Sequence, residues 1–274
     1  MALTVNTNLT SMSSVNSLNR TQSALSNTFG RISSGLRINR AADDAAGFAV
    51  AENLDATSRS LDVAARNAND GISMIQTAEG ATQEVGEIVK RMRELSVQSA
   101  SDTLDNAERA YIQTEVDELV AELDRIATTT NFNGVSLMDG SVPSVDVQVG
   151  VGNTAADSIT LTLGDLQAAT LGVNGLDVST SGAASTAIGT LDTALDAINS
   201  QRATFGAVQN RLSSTLANIS TYSENISASK SRIMDADFAK EAASLSKFQT
   251  MQQAGIAILG QANAMNQGAL RLVG

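Results

Sequence analysis

The stretch "VNTNLTSMSSVNSLNRTQSALSNTFGRISSGL" (residues 5–36) sets Val5, Leu9, Met12, Val15, Leu18, Leu25, Phe29, Ile32 and Leu36 at steps of three, four or seven. That spacing is a narrow helical stripe of the coiled-coil kind, and the residues between are mostly Ser, Thr and Asn. Such a helix needs a partner. The other end of the chain offers one: Phe238, Leu245, Phe248, Ile256 and Leu259 recur on helical spacing. Residues 1–42 and 242–274 contain no Asp or Glu, and all 29 acidic residues lie in 43–241. The ends therefore resemble each other and differ from the middle, which predicts one unit made of 1–42 with 234–274. Its stripes are narrow and their burial offsets only part of the cost of ordering the chain, so both ends are expected to be mobile in the lone chain and to become helical only when other copies pack around them.

The body also reads as helix. Ile72, Ile75, Val85, Val89, Met92 and Leu95 mark one apolar side, and Ile112, Val116, Leu119, Leu123 and Ile126 form a clean heptad. Phe205, Leu212, Ile219, Ile226 and Ile233 recur at steps of seven. Gly35 loosens the first helix, and Asp43 and Asp44 supply an N-cap signal for the next. The exception is 142–163. Val145, Val147, Val149 and Val151, then Ile159, Leu161 and Leu163, alternate with small or polar residues around "GNTAAD", which predicts a β-hairpin. Residues from 164 to about 185 are rich in Gly, Ser and Thr and read as loop. The expected fold is mainly α: an antiparallel coiled coil of both termini, a long helical bundle (43–140 with 186–233), and a small β-hairpin and loop region at 141–185.

Composition narrows the function. The chain has 274 residues, a formal net charge of -11, no His, no Cys and no Trp. Acidic balance opposes general nucleic-acid binding. Without His or Cys there is no zinc site of the usual type, no thiolate and no imidazole base. The carboxylates of "VDELVAELD" (116–124) fall largely opposite the Ile112–Ile126 stripe and read as a solvated face rather than an acid–base pair. No catalytic, metal or cofactor set is expected. The first twenty residues show no basic n-region and no continuous apolar core of a secretory signal. No run is long enough to span a membrane. A membrane-surface helix would want broad apolar faces flanked by Lys or Arg, which these narrow seams lack.

Seven motifs carry a resemblance to a known family: "SSGLRINRAADDAAGFAV" (33–50), "RNANDGISMIQTAEGA" (66–81), "RMRELSVQSA" (91–100), "NFNGVSLMDG" (131–140), "FGAVQNRL" (205–212), "SRIMDADFAKE" (231–241) and "QQAGIAILGQANAMNQGALRLVG" (252–274). The chain resembles bacterial flagellin, in a short form without large outer domains. The last motif and "DDAAGFAV" favour flagellin over a hook–filament junction protein, whose ends are similar.

The resemblance implies an extracellular structural subunit of the flagellar filament, exported unfolded through the flagellar type III apparatus without a cleaved signal. It implies self-association into a helical polymer, an export chaperone at the C-terminus, and filament cap and hook-junction partners. It implies inner-core packing by Val5, Leu9, Met12, Leu18, Leu25, Phe29, Ile32, Leu36, Phe238, Leu245, Phe248, Ile256 and Leu259. The amides Gln252, Gln261, Asn263 and Gln267 would give a central channel a neutral lining that does not hold an unfolded chain by charge. Arg91, Leu95 and Glu115 match positions through which many flagellins contact the innate immune receptor Toll-like receptor five. Many family members have proline where Asn266 stands, which leaves the end of the last helix open.

Overall fold

The computed structural model describes residues 7–273, with only the helical backbone described for 266–273. Val5 and Gln267 thus lie outside the residues whose side chains are described. The elements run α1 (Leu9–Ser34), α2 (Ala45–Ser99), α3 (Asn106–Thr129), β1 (Asn131–Phe132), β2 (Val135–Ser136), β3 (Ser144–Gln148), β4 (Ser158–Thr162), α4 (Ser181–Met234) and α5 (Phe238–Val273). The helical backbone continues through Asn266. Two compact units divide the chain: Met1–Ala56 with Asn225–Gly274, and Thr57–Glu224. The division falls inside α2 and α4, because each helix continues past the loops at which the sequence changes character.

In the first unit α1 and α5 pair antiparallel. The Asn8 side chain caps α1 by accepting from the Ser11 amide at 3.0 Å and donates to the Ala262 carbonyl at 3.2 Å. Gly35 ends the helix at φ 70, a left-handed conformation that costs glycine little. The chain then crosses the loop before α5. Leu36 and Asp235 form a bridge, the Arg37 amide donates to Met234 O, and the Ala236 amide to Gly35 O. Ile38, Ala51 and Met234 bury there against Leu36, Phe48 and Ile233. The two expected capping acids divide their work. Asp44 accepts from the Gly47 amide at 2.9 Å and starts α2. Asp43 instead accepts from the Asn39 and Arg40 amides, both at 3.1 Å, and these hold its carboxyl below the ordinary range.

In the second unit the periodic stripes form the core. Ile75, Val85, Val89, Met92 and Leu95 of α2, Ile112, Val116 and Leu123 of α3, and Phe205, Leu212 and Ile219 of α4 are buried. The hairpin pairs Val145 with Leu161 and Val147 with Ile159, and Val147, Val149, Ile159, Leu161 and Leu163 bury one face of it. Val151 departs from the alternation and is exposed, because it lies in the turn beyond the Val149 and Gly150 amides, the last to bond across to Asp157 O. The Gly-rich stretch is non-helical, yet Leu166, Leu171, Val173, Leu176 and Val178 are buried. Side chains of α3 fasten its backbone: Asp124 accepts from the Ala168 amide at 2.7 Å, Gln113 donates to Leu176 O at 2.8 Å and accepts from the Val178 amide at 2.6 Å. Asp124 is therefore an anchor rather than part of a purely solvated acidic face. Thr180 then caps α4, which begins at Ser181, five residues before the sequence-based boundary.

The hairpin turn is organised around the Asp157 carboxylate. Asp157 accepts from the Thr154 hydroxyl at 2.6 Å and amide at 3.1 Å. These bonds, the hydroxyl first, hold its carboxyl below the ordinary range. A lowered folded value means the native turn favours the ionised form. That contribution is complete above the unfolded aspartate value of about 3.9 and drains as pH falls through the lower folded value. In an NMR titration from about pH 6 downward, the Thr154 and Asp157 amides should therefore shift only below about pH 4. Asp157→Asn should abolish the step.

Candidate assembly and recognition surfaces

The α1–α5 pair is built on two interleaved seams. On α1, Ser11, Ser14, Leu18, Thr21, Leu25, Thr28 and Ile32 are half-buried or buried and follow alternating steps of three and four, the a and d spacing of a coiled coil. On α5 the matching set is Glu241, Leu245, Phe248, Gln252, Gly255, Leu259 and Ala262. Contacts confirm the register. Gln252 donates to Gln22 Oε1 at 2.6 Å, and Arg31 Nη1 lies 3.4 Å from Glu241 Oε1. A Cβ added at Gly255 would come within 3.3 Å of Leu18 Cδ1. Several core positions of this seam are therefore hydroxyls, amides or glycine. Thr21 satisfies its own hydroxyl by donating to Ser17 O at 3.0 Å.

The expected inner-core residues separate into two groups. Leu18, Leu25, Ile32, Leu36, Leu245, Phe248 and Leu259 are half-buried within the unit. Leu9, Met12, Phe29, Phe238 and Ile256 are exposed, Leu9 at 71% and Phe29 at 64%. Val15, Met251, Ile258 and Met265 join them at the surface. The outward residues of α5 include a step of seven, Met251, Ile258 and Met265, which forms a single stripe. Among the amides, Gln261 and Asn263 are exposed, whereas Gln252 is engaged in the seam with Gln22.

The second surface joins α2 to α3. Arg91 Nη2 lies 2.7 Å and Nε 3.0 Å from Glu115 Oε1, and Nη1 lies 3.3 Å from Glu94 Oε2. Hydrogen bonding to Glu115, then to Glu94, raises the Arg91 guanidinium above its ordinary value. Arg93 pairs likewise with Asp192 of α4 at 2.6 Å. Leu95 does not share this surface. It is 2% exposed and belongs to the core, whereas the side chains of Arg91 and Glu115 stand at the surface.

A buried cation went unseen in the sequence. Arg109, 6% exposed, donates to Ser99 O at 2.9 Å, Ser101 O at 2.9 Å and Asn106 Oδ1 at 3.0 Å. It thereby fixes the turn between α2 and α3. Nearby, Asp105 and Glu108 form a capping box. The β1–β2 hairpin was also missed, although Asn133–Gly134, with φ 50 and 83, is the usual signal for its turn. Among the described residues no group of three or more acidic side chains could hold a metal, and no helix is long and apolar enough to cross a membrane.

A coiled coil of both chain ends, a helical bundle and two short hairpins define a mainly α protein. Residues 5–142 match the family profile described as the bacterial flagellin N-terminal helical region, and 188–273 match the C-terminal helical region. A flagellin of Halalkalibacterium halodurans is 43% identical over 93% of each chain. The flagellar filament 33 kDa core protein of Treponema phagedenis is 40% identical over 98% of this chain and 99% of its own. The crystal structure of Bacillus cereus flagellin superposes with a TM-score of 0.51 at 32% identity, covering 60% of this chain and 94% of that one. The chain belongs to the bacterial flagellin family, a family of structural proteins rather than enzymes.

Proposed function

We propose that the chain polymerises into the bacterial flagellar filament, outside the cell, as its structural subunit. The observation that carries this reading is the apolar surface on α1 and α5. Leu9, Met12, Phe29, Phe238, Ile256 and Met265 are each more than half exposed on helices whose inward seam is already occupied. A face of that kind is stabilised when another copy covers it. Export as an unfolded chain, a chaperone on the C-terminal helix, and cap and hook-junction partners belong to the same reading. So does a neutral channel lining by Gln261 and Asn263. The test is seeded growth. Purified chain is mixed with sheared filament fragments and followed by sedimentation and electron microscopy. Elongation above a critical concentration supports the reading, and chain that stays unpolymerised on the seeds at every concentration removes it.

A second reading concerns immune recognition. Arg91 and Glu115 stand half-exposed together on α2 and α3, which supports their role as contacts for Toll-like receptor five. Arg91→Asp should lower potency on receptor-bearing cells by at least about ten-fold, the loss of one charge-assisted contact. Undiminished potency would remove Arg91 from the interface. Circular dichroism of the variant checks that the bundle is intact.

A further inference from the structure

The chain holds eight methionines and no cysteine, so thioethers are its only sulfur groups. They are distributed unevenly. Met92, Met138 and Met234 are buried at 0, 0 and 8% exposure, while Met12, Met251 and Met265 are exposed at 63, 47 and 64%. Met74 is half-buried, and Met1 lies outside the described residues. The exposed three are confined to α1 and α5, the helices that carry the apolar face. Met251 also borders, with Leu18, Thr21, Gly255 and Ile258, a groove of about 300 Å³ between the two helices.

We propose that Met12, Met251 and Met265 form a reversible oxidation site that gates assembly. The reagent is hydrogen peroxide, acting on the free chain. A sulfur lone pair attacks one peroxide oxygen and the O–O bond breaks. The sulfur gains that oxygen and is oxidised by two electrons, and the other oxygen leaves as water after proton transfer. The sulfoxide is polar and accepts hydrogen bonds, and methionine sulfoxide reductases can reverse it. On an exposed side chain this change costs the folded chain little. Beneath a second copy, the same S=O group loses its water without gaining a partner. The penalty is thus confined to the assembled state. Burial keeps Met92, Met138 and Met234 out of the reaction, and half-buried Met74 of α2 lies outside the apolar face of α1 and α5.

The proposal rests on the assembly reading above, and the experiment separates the two. Dilute full-length chain is treated with hydrogen peroxide, mapped by peptide mass spectrometry, and mixed with filament seeds. One portion is first repaired with both sulfoxide reductases and a thiol reductant. Met12, Met251 and Met265 should each gain one oxygen before Met92, Met138 and Met234 do. The critical concentration should rise about ten-fold or more and fall back after repair. The M12L/M251L/M265L chain should be insensitive to peroxide. If that variant does not polymerise untreated, the oxidation and repair cycle of the unaltered chain decides. Unaltered chain that carries all three sulfoxides and still grows normally would overturn the proposal. So would a triple variant that stays peroxide-sensitive. Untreated chain that never elongates the seeds would instead overturn the assembly reading, and the proposal with it.

Discussion

Arg109→Met should lower the unfolding free energy of the dilute chain by about 3–5 kcal/mol, because three hydrogen bonds from a charged donor are lost at about 1.5–3 kcal/mol each, partly offset by the methionine packing. The guanidinium is 6% exposed and its three acceptors are Ser99 O, Ser101 O and Asn106 Oδ1. Two of these are backbone carbonyls, one on the last residue of α2, where a helix leaves its last C=O groups without internal partners, and one in the turn that follows. Removing the arginine leaves them without that donor in a turn that also receives the Ser181 hydroxyl on Ala100 O. Thermal unfolding should shift down by roughly 10 °C for a chain of this size. Arg109→Lys is the informative control. An ammonium keeps the charge but lacks the planar fork that reaches acceptors on both sides, so it should recover only part of the loss. A methionine variant that melts within about 2 °C of the parent would show that the turn is held by its capping box instead.

Arg109 also illustrates what the sequence conceals. Within "SASDTLDNAER" it has the appearance of an ordinary surface charge at the start of a helix. Its burial depends on where the α2 carbonyls end, which is a tertiary fact with no local pattern. The long helices are different, because a periodic stripe states which side is buried. Phe205, Leu212, Ile219 and Ile226 follow a step of seven and are all buried. The main hairpin is readable for the same reason at period two. Residues 164–180 have no regular backbone and hence no period. Their composition says loop, while Leu166, Leu171, Val173 and Val178 form core. Leu95 shows a limit of angular resolution, because it is buried while Arg91 is not. It is four residues from Arg91, about 40° around the helix, enough for one to point outward and the other inward.

The N-terminal stripe shows the same difficulty on a larger scale. Read in sequence, Leu9, Met12, Leu18, Leu25, Phe29 and Ile32 form one line. In the fold Leu18, Leu25 and Ile32 turn toward α5, while Leu9, Met12 and Phe29 face outward. A substitution can therefore separate folding from assembly. Phe29→Asp should leave the dilute chain nearly unchanged, within about 0.5 kcal/mol, because the ring is 64% exposed and the surrounding seam is carried by Thr28 and Ile32. In a polymer the same position would forfeit about 1.5–3 kcal/mol of ring burial and place a carboxylate where water is excluded. Together these predict a critical concentration at least about a hundred-fold higher on filament seeds, read by sedimentation. Leu25→Asp should behave in the opposite way, disrupting the α1–α5 pair before any second copy is involved. Hydrogen exchange would report that loss along residues 9–34 and 238–262 in the dilute chain. If Phe29→Asp polymerised as well as the parent, the outward face of α1 would not be the surface that neighbouring copies cover.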